Sequence, residues 1–394
     1  MRICHVVYAH YPADPRVRRE VDALRDAGHQ VDVIALRDGA EAASEDLHGV
    51  RVHRLPWDAR RGGRGRYLFQ YAVFFLISSV TLLRLHLERR FQVVHVHSLP
   101  DFQVFCALPL RLLGVAVILD LHEGLPEIVA ARFALGRDSP LVRIARLAER
   151  LSARSASRVV TVNDTLRDIF LARVRPRTSI TVIMNSSDHS SFGGADAQAL
   201  RIRLGLDARP TVVYVGGINR ERDLATLLRA VKLLRDRFPF RVVIAGPPEP
   251  AYLAALRSLA DTLGLTDSVM FLPPIPHDQV LAHLALSDLG VLSYENNPLT
   301  QVAIPTKAFE YAAVGKPMAI ADLRALRDLF RGAAEFFRPG ESADLAAAME
   351  RILLDPGRAS EFVSRAKDVL ANCSWDTMRG RLLGLYDELG GETT

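Results

Sequence analysis

The sequence predicts an α/β protein with two domains, each a parallel sheet covered by helices. The chain has 394 residues, and domains usually contain about 100–200 residues each. Short apolar runs alternate with helical patterns along both halves, which is the order typical of βαβ units. A stretch rich in Ser, Asp and Gly, NSSDHSSFGGADA at 185–197, then reads as a linker between the halves.

The composition limits which classes of function are compatible with this sequence. Hydrophobic residues make up 49% and charged residues 24% of the chain, which is ordinary for a globular protein. The net charge of +5 does not imply a nucleic-acid partner, but it is compatible with an anionic ligand or a membrane surface. The three cysteines are far apart, with neither metal-ligand spacing nor a disulfide framework, which favours the reducing cytoplasm. The start, MRICHVVYA, is too short and polar for a secretion signal.

The first predicted unit is strand, loop, helix and strand. Arg2–Ala9 is an apolar strand, Asp14-Pro15 resembles a helix cap followed by a first-turn proline, and the second strand covers Gln30–Leu36. The loop AHYPADPR has no glycine, so the dinucleotide fingerprint is absent, which counts against a nicotinamide or flavin enzyme. The arginines that follow read as solvated helix charges, although one of them can face a ligand: Arg16, Arg18 and Arg19.

A basic run, RRGGRGR at 60–66, precedes a segment without charges from Tyr67 to Leu83. This segment falls short of the roughly 20 apolar residues that span a bilayer, and polar residues dilute it. We therefore expect no membrane span, but either a buried helix on the sheet or one that also touches lipid. Arginines beside aromatic residues suit an anionic membrane surface, so residues 60–87 are a candidate for peripheral membrane contact.

Two later strands of the first half end in histidines. The strand at 91–97 runs into HVHSLPDF with His97 at its end, and LDLHEGLPE places His122 at the end of the next strand. Open α/β sheets bind ligands at the carboxyl ends of their strands. A single histidine there is more often a satisfied polar group than a catalyst. His122 stands out because Glu123 and Glu127 surround it with polar atoms.

The second half begins with a strand at Thr211–Val215 and continues as GGINRERDLATLL. Gly216-Gly217 allows the backbone to approach a ligand, and Arg220 and Arg222 lie at or before the first helical turn. This arrangement is typical of a phosphate site. The alternative is an ordinary glycine turn, which is common after a strand.

The most informative stretch is YENNPLTQVAIPTKAFEYAAVGKPMAI at 294–320. It predicts a polar loop, a short helix that ends at Gly315, and another strand. Lys307 and Glu310 are three residues apart, so they share a helical face. A helix N-terminus with an ammonium suits a phosphate, and a carboxylate suits a diol, as in a nucleoside diphosphate. The alternative is an ordinary surface Lys–Glu pair.

The motif order gives a more specific resemblance. The sequence is similar to the family-4 retaining glycosyltransferases, also called glycosyl transferases group 1, whose GT-B fold has two Rossmann-like domains facing a cleft. The motifs that carry it are DPRVRREVDALRDAGHQVDV, VVHVHSLPDF, LDLHEGLPE, VVTVNDTL, VIMN, YVGGINRERDLATLL, VVIAGP, FLPPIPHDQVLAHLALSDLGV and PTKAFEYAAVGKP. They cover nearly the whole chain, and K-x-F-E-Y-x-x-x-G-K-P is the most specific of them.

The resemblance implies a different role for each domain. We expect an acceptor-binding domain at 1–186, a domain that binds the nucleotide sugar at 196–372, and a C-terminal helix, 373–394, that packs back on the first domain. The donor is a UDP- or GDP-sugar, the acceptor is a glycan or a lipid-linked molecule, and the reaction is of the hexosyltransferase type. No cofactor and no metal are implied. The expected location is the cytoplasm, including the inner face of the membrane.

The resemblance also assigns residues. Glu310 is placed on the ribose hydroxyls, Arg222 at the diphosphate and His122 beside the donor sugar. Gly216, Gly217, Arg220 and Lys307 complete the expected donor site, and His97 and Arg16 are expected on the acceptor side.

The chain departs from the family at two positions. Val302 stands where a second Glu is often found, and Gly217 where Arg is often found. We expect Arg220 or Lys307 to supply the missing charge. Two alternatives stay open: a nucleotide-sugar epimerase of the same fold, and a subunit that binds a nucleotide sugar without catalysis. The sequence names neither the sugar, the base nor the acceptor, although surface polysaccharide or lipid-linked glycan assembly is the leading hypothesis.

Overall fold

The computed structural model describes residues 1–39, 41–56, 64–136, 138–175, 179–185, 197–237 and 239–392. The chain divides into two compact units. Unit 1 contains Met1–Asn185 and Asp376–Thr394, and unit 2 contains Ser186–Trp375. Residues 186–196 of the predicted linker, together with Arg60 and Arg61 of the basic run, lie outside the described residues.

Fourteen strands are described. Those of unit 1 are β1 (Arg2–His10), β2 (Gln30–Leu36), β3 (Ser44–Leu47), β4 (Val50–Leu55), β5 (Val93–His97), β6 (Ala116–Leu121), β7 (Arg158–Thr161) and β8 (Ile180–Val182). Those of unit 2 are β9 (Thr211–Val215), β10 (Arg241–Ala245), β11 (Val269–Leu272), β12 (Gly290–Leu292), β13 (Met318–Ala321) and β14 (Glu335–Phe337).

Fifteen α-helices are described. Those preceding the linker are α1 (Pro15–Asp26), α2 (Arg64–Arg89), α3 (Leu108–Leu112), α4 (Leu125–Phe133), α5 (Pro140–Ser155) and α6 (Asp164–Val174). Those following it are α7 (Ala197–Arg203), α8 (Leu224–Leu234), α9 (Pro250–Thr262), α10 (Val280–Ala285), α11 (Thr306–Ala313), α12 (Arg324–Phe330), α13 (Ser342–Leu354), α14 (Pro356–Asn372) and α15 (Trp375–Glu392).

The sheet of unit 1 has the strand order β3-β4-β2-β1-β5-β6-β7-β8. All neighbouring strands pair in parallel except β3 and β4, which are antiparallel. The strand order reverses direction between β1 and β5, so the loops after these strands diverge and leave room for a ligand. Strands β3 and β4 were not predicted from the sequence.

In unit 2, one set of strands has the order β11-β10-β9 and the other β12-β13-β14, all parallel. A parallel bridge between Val212 and Leu289 joins β9 to β12, which gives the order β11-β10-β9-β12-β13-β14. All five residues of β9 are buried, as expected for a parallel strand covered on both faces. Both units are therefore Rossmann-like, and the predicted fold class is confirmed.

Several predicted local features are present. The Asp14 side chain caps α1 by accepting from the backbone N–H groups of Arg16 and Val17, and Gly315 after α11 has a φ of +67°, where glycine is favoured. The segment after β5 forms a 3₁₀ helix at Asp101–Ala107 followed by α3.

Helix α2 covers the uncharged segment. Among the described residues, Phe69–Arg89 is long and apolar enough to cross a membrane by length and composition alone. One face of α2 nevertheless packs on unit 1 through residues with exposed fractions of 8% or less, namely Gln70, Phe74, Ser78, Leu82 and His86. A single helix of this kind is weak evidence for a membrane span. The contacts show that α2 lies on unit 1 along one face.

Candidate functional site

The first cluster of polar residues lies at the carboxyl ends of β5 and β6. His97 ends β5, Asp120 is near the end of β6, and His122 follows that strand. Arg16 reaches them from the first turn of α1. These residues come together because parallel strands end at one edge of the sheet, where α/β proteins bind ligands.

Asp120 is the centre of this cluster. Its carboxylate is fully buried and accepts hydrogen bonds from Arg16 Nε and Nη2, each at 2.8 Å. His122 Nε2 lies 2.9 Å and His97 Nδ1 lies 3.1 Å from Oδ2 of the same group. Burial alone would raise the pKa of Asp120, but Arg16 and then His122 and His97 hold it well below its usual value. Asp120 is therefore a carboxylate.

The Asp120 carboxylate fixes which ring nitrogen of His122 carries the hydrogen of their contact. Because Asp120 accepts only, Nε2 of His122 carries the hydrogen of this contact. In a neutral ring this leaves Nδ1 as an acceptor for a hydroxyl group. The His122 side chain keeps an exposed fraction of 19%, whereas that of Asp120 is 0%. His122 is thus the member of the cluster that can meet a ligand.

Arg16 is buried, whereas the simplest expectation was a solvated charge on the helix. Its exposed fraction is 5%, and Nη1 donates to the Ile183 carbonyl at 2.7 Å and to Asn185 Oδ1 at 2.9 Å. The reason is charge: the buried Asp120 needs a buried counter-ion. The signal that sequence reasoning missed is an aspartate at the end of an otherwise apolar strand.

His97, expected on the acceptor side together with Arg16, is fully buried. It lies behind His122, with its Nδ1 3.3 Å from His122 Nε2. Both predicted residues therefore adjoin His122 within unit 1. Arg16 and His97 each contact Asp120, and Asp120 in turn contacts His122.

Three histidines stack behind this cluster. His5 and His95 are register partners on β1 and β5, and ring centroids of His5, His95 and His97 are 4.5–5.3 Å apart. Burial lowers the pKa of all three. Tyr386 of α15 lies with its hydroxyl 2.9 Å from His95 Nδ1, so the C-terminal helix adjoins this layer. The rings are neutral and form part of the core.

Two sets of side chains have ligand atoms within 4.8 Å of one another and the chemistry to hold a metal ion: His97, Asp120 and His122, and His5, Glu20, His95 and His97. Sequence spacing did not indicate them because they come from separate elements. In the first set, Arg16 already supplies positive charge to Asp120. In the second, burial raises the pKa of Glu20 to about 8, against the opposing effect of Arg16. Charge balance is thus achieved without an ion.

The second cluster lies in unit 2, where the strand order reverses between β9 and β12. The loop after β9 contains Gly216 and Gly217, and the loop after β12 contains Ser293 and Tyr294. In a sheet of this order, the crevice at the reversal is the usual nucleotide position.

Gly216 is a point of close approach. A Cβ there would lie 2.9 Å from Tyr214 Oη and 3.6 Å from Lys307 Cε. A Cβ on Gly246, which has a φ of +141°, would lie 1.9 Å from the Gly216 carbonyl oxygen. The Tyr214 hydroxyl donates to the Gly217 carbonyl at 2.8 Å. The glycine loop and Lys307, ninety residues apart in the printed sequence, are therefore neighbours.

Lys307 and Glu310 form an ion pair on one face of α11. The predicted shared face is thus present, and the side chains are only 18% and 9% exposed. An ordinary surface pair would be more open to water. The pair presents one ammonium and one carboxylate beside the Gly216 loop.

Arg222 and Arg220 have different environments. The Arg222 guanidinium lies over the Tyr294 ring at 4.7 Å, and Ser293 Oγ donates to the Arg222 carbonyl at 3.1 Å. Arg220 is 86% exposed and pairs with Glu295, Nε to Oε1, at 3.2 Å. Arg222 is held by the strand-end loops, whereas Arg220 extends into solvent.

Both positions at which the chain departs from the family, Val302 and Gly217, lie in unit 2, and a buried polar group adjoins one of them. Val302 is 4% exposed and is part of the core of unit 2. Gly217 lies next to Asn219, whose Oδ1 is buried without a hydrogen-bond partner among the described residues. Sequence reasoning missed Asn219 because a single Asn in a turn is unremarkable. A buried acceptor without a donor is costly unless a ligand supplies one.

Comparison with known proteins covers both units. Residues 13–186 match the family model described as Glycosyl transferase 4-like domain, and residues 196–369 match that of Glycosyl transferases group 1. D-inositol 3-phosphate glycosyltransferase of Rhodococcus jostii (strain RHA1) is 32% identical over 216 residues, which are 52% of this chain and 47% of that protein. The chain therefore spans about half the length of this curated relative.

A second relative is similar over more of its length. GDP-mannose-dependent alpha-(1-6)-phosphatidylinositol monomannoside mannosyltransferase of Mycolicibacterium smegmatis is 27% identical over 371 residues, 89% of this chain and 94% of that protein. Among solved structures, sucrose-phosphate synthase from Thermosynechococcus elongatus has a TM-score of 0.79 at 20% identity, over 100% of both chains. That structural likeness concerns the fold.

Proposed function

Since the chain belongs to the group 1 glycosyltransferases, a family of sugar-transferring enzymes with the GT-B fold, we propose that it moves a sugar from a nucleoside-diphosphate sugar to an acceptor hydroxyl. Configuration at the anomeric carbon is retained. Unit 2 binds the donor nucleotide and unit 1 binds the acceptor. No metal ion takes part.

The observation that carries the proposal is the Lys307–Glu310 pair beside Gly216. Glu310 accepts hydrogen bonds from the two ribose hydroxyls, and Lys307 faces the phosphates. The side chains of Lys307 and Glu310 are 18% and 9% exposed, respectively. They lie at the strand-order reversal of a Rossmann-like sheet, which is the position where nucleotides bind. Asn219 Oδ1, buried without a partner among the described residues, is an acceptor for a donor group of the same ligand.

The reaction develops positive charge on the sugar and negative charge on the leaving diphosphate. Arg222, Lys307 and the backbone N–H groups near Gly216 stabilise the diphosphate, which is the main task of such a site. Their charges replace a divalent metal. His122, with Nε2 tied to Asp120, accepts a hydrogen bond at Nδ1 from a hydroxyl of the donor sugar. The leaving phosphate takes the proton of the acceptor hydroxyl.

The substrates are proposed at the level of class. The Mycolicibacterium smegmatis relative is named for GDP-mannose and for a phosphatidylinositol glycan, which supports a nucleotide-sugar donor and a lipid-linked or glycan acceptor here. The reaction would serve surface polysaccharide or lipid-linked glycan assembly. It would take place in the cytoplasm, with the protein peripheral on the inner face of the membrane.

The test is incubation with a panel of UDP- and GDP-sugars, with nucleotide release measured in the absence and presence of glycan and lipid acceptors. We expect release of UDP or GDP from one donor, undiminished by EDTA. Proton NMR of the product should show the anomeric configuration of the donor. Conversion of the donor into a free isomeric nucleotide sugar would indicate an epimerase instead, and binding without turnover of any donor would indicate a binding subunit.

A further inference from the structure

Unit 1 contains a large apolar cavity next to the histidine cluster. Its volume is about 720 Å³, within the range of about 300–1,000 Å³ that is usual for small-molecule sites. It is lined by residues of α2, α4 and α5 and by the segment after β5, including Tyr71, Leu99, Pro100, Leu125, Phe133 and Leu141. None of these lining residues has a role in the reaction proposed above.

Helix α4 turns its apolar face towards this cavity. The lining residues Leu125, Ile128, Val129 and Phe133 recur at the three- and four-residue spacing of one helical face. They are only half-buried. An apolar helical face normally packs against a core, so the arrangement exposes surface that an apolar ligand would cover.

The position of the cavity relates it to the reaction. Leu99 and Pro100 come directly after β5, which ends at His97, and Leu125 lies three residues beyond His122. An acceptor whose hydroxyl reaches the donor sugar held by His122 would therefore have its remainder beside these residues. Among the described lining residues, Arg132 is the charged one, and it is exposed.

Two of the helices that line the cavity, α2 and α5, also carry exposed apolar side chains, and α5 carries exposed arginines among them. On α2, the residues opposite the packed face form an exposed stripe of Phe69, Leu76, Val80, Leu83 and Leu87. On α5, Leu141, Ile144, Leu147 and Leu151 are 44–63% exposed. Arg143 and Arg150 are exposed between them, whereas the acid of that helix, Glu149, is buried against Arg173. Exposed apolar side chains between arginines suit the surface of an anionic bilayer.

We propose that this cavity binds the hydrocarbon chain of a lipid acceptor, with an anionic phosphate of the lipid beside Arg132. The chain enters from the bilayer surface along the exposed face of α5, where Leu141 both lines the cavity and is exposed. The inference rests on the proposed function, because it specifies the acceptor of that reaction. It assigns specificity for the acceptor to unit 1.

The first test is calorimetry with dodecyl phosphate below its micellar concentration. Butyl phosphate carries the same head group without the long chain, and dodecyl maltoside carries the chain without the charge. We expect dodecyl phosphate to bind at least tenfold more tightly than either. Equal binding of butyl and dodecyl phosphate would overturn the role of the cavity.

The second test is Val129→Trp, which fills the cavity. Dodecyl phosphate binding should weaken at least tenfold, while binding of UDP or GDP is unchanged. Ile202→Trp is the matched control, since Ile202 is 71% exposed on α7 in unit 2. If Val129→Trp does not fold, Leu141→Asp replaces it, because Leu141 is 44% exposed at the cavity wall. Unchanged dodecyl phosphate binding in the folded variant would contradict the proposal.

Nucleotide binding distinguishes a failure of the lipid cavity from a failure of the donor site. A wild-type protein that binds UDP or GDP but not dodecyl phosphate overturns the lipid cavity and leaves the donor site standing. A wild-type protein that binds neither nucleotide overturns the proposed function. Vesicles of phosphatidylglycerol and phosphatidylcholine test the surface: flotation should be lost with Leu76→Glu and Ile144→Glu together, and retention would contradict contact through α2 and α5.

Discussion

Both carboxylate oxygens of Asp120 accept hydrogen bonds from the guanidinium of Arg16, each at 2.8 Å, although the residues are 104 positions apart. The pair is buried, and paired planar groups of this kind are among the stronger charge-assisted contacts. The same carboxylate holds His122. The pair therefore links the stability of unit 1 to the orientation of the histidine that is proposed to meet the sugar.

We predict that Asp120→Asn lowers both stability and transfer. The amide has no charge, so Arg16 becomes a buried cation without its carboxylate, at a cost of about 3–5 kcal/mol. The amide can also donate to His122, which would reverse the roles of the ring nitrogens. Transfer should fall at least tenfold more than nucleotide binding does. Thermal unfolding and kcat at saturating donor are the measurements.

Asp164→Asn is the control for this change. Asp164 pairs with Arg167 on the surface of α6, and its side chain is 56% exposed. Such exposed pairs contribute about 0–1 kcal/mol, so activity and unfolding should stay near the wild type. A stable, fully active Asp120→Asn protein would show that His122 does not depend on the carboxylate.

Particular residues show how far the sequence could lead. Gly315, Lys307 and Glu310 were predictable because helix periodicity and capping are local properties. The pairing of Arg16 with Asp120 was not, because it depends on which strands become neighbours. The cavity beside α4 was equally hidden: the spacing of Leu125 and Ile128 predicts an apolar face, but not whether a core covers it.

Glu310→Gln should weaken nucleotide binding at least tenfold. The substitution removes the charge that accepts hydrogen bonds from the ribose, a contact worth about 1.5–3 kcal/mol, while the shape of the side chain is kept. Calorimetry with UDP and GDP measures the effect. Glu361→Gln is the control, because Glu361 is 56% exposed and pairs with Arg365 on α14. Equal affinity in the Glu310 variant would remove this residue from the ribose site.

Arg222→Ala should reduce transfer by a factor of ten or more, because it removes positive charge from the leaving diphosphate. Arg222→Lys keeps the charge but loses the planar group over Tyr294, so it should recover part of the activity. Arg220→Ala should change transfer by less than about fivefold, since Arg220 is 86% exposed. Steady-state kinetics of the three variants are compared. A larger loss with Arg220→Ala would exchange the two assignments.

Gly246→Ala should disturb the nucleotide loop from a neighbouring strand end. Its Cβ would lie 1.9 Å from the Gly216 carbonyl oxygen, at a φ of +141° that side chains rarely adopt. The Gly216 loop must move, so nucleotide affinity should fall at least tenfold together with the unfolding temperature. Gly380→Ala is the control: a Cβ there meets nothing within 4 Å, and alanine favours a helix by about 1 kcal/mol. Gly246→Ala with unchanged affinity would contradict the close approach.

Asp101 should make unit 1 less stable as the pH rises. Burial raises the pKa of its carboxyl group to about 7, with Arg173 opposing, whereas an unfolded aspartate titrates near 3.9. The folded state therefore holds a proton that the unfolded state has lost. This contribution is fully present below about pH 4 and is lost, at about 1.4 kcal/mol per pH unit, as the pH rises to about 7.

Asp101→Asn tests this dependence, because the amide does not titrate. Between pH 5 and pH 7 the free energy of unfolding should fall less in the variant than in the wild type. Glu149, whose pKa burial raises to about 8, gives both proteins a remaining slope of the same sign. Asp168→Asn, exposed on α6, should follow the wild type. Urea unfolding at several pH values measures the slopes, and parallel curves for Asp101→Asn and wild type would show that Asp101 ionises normally in the folded protein.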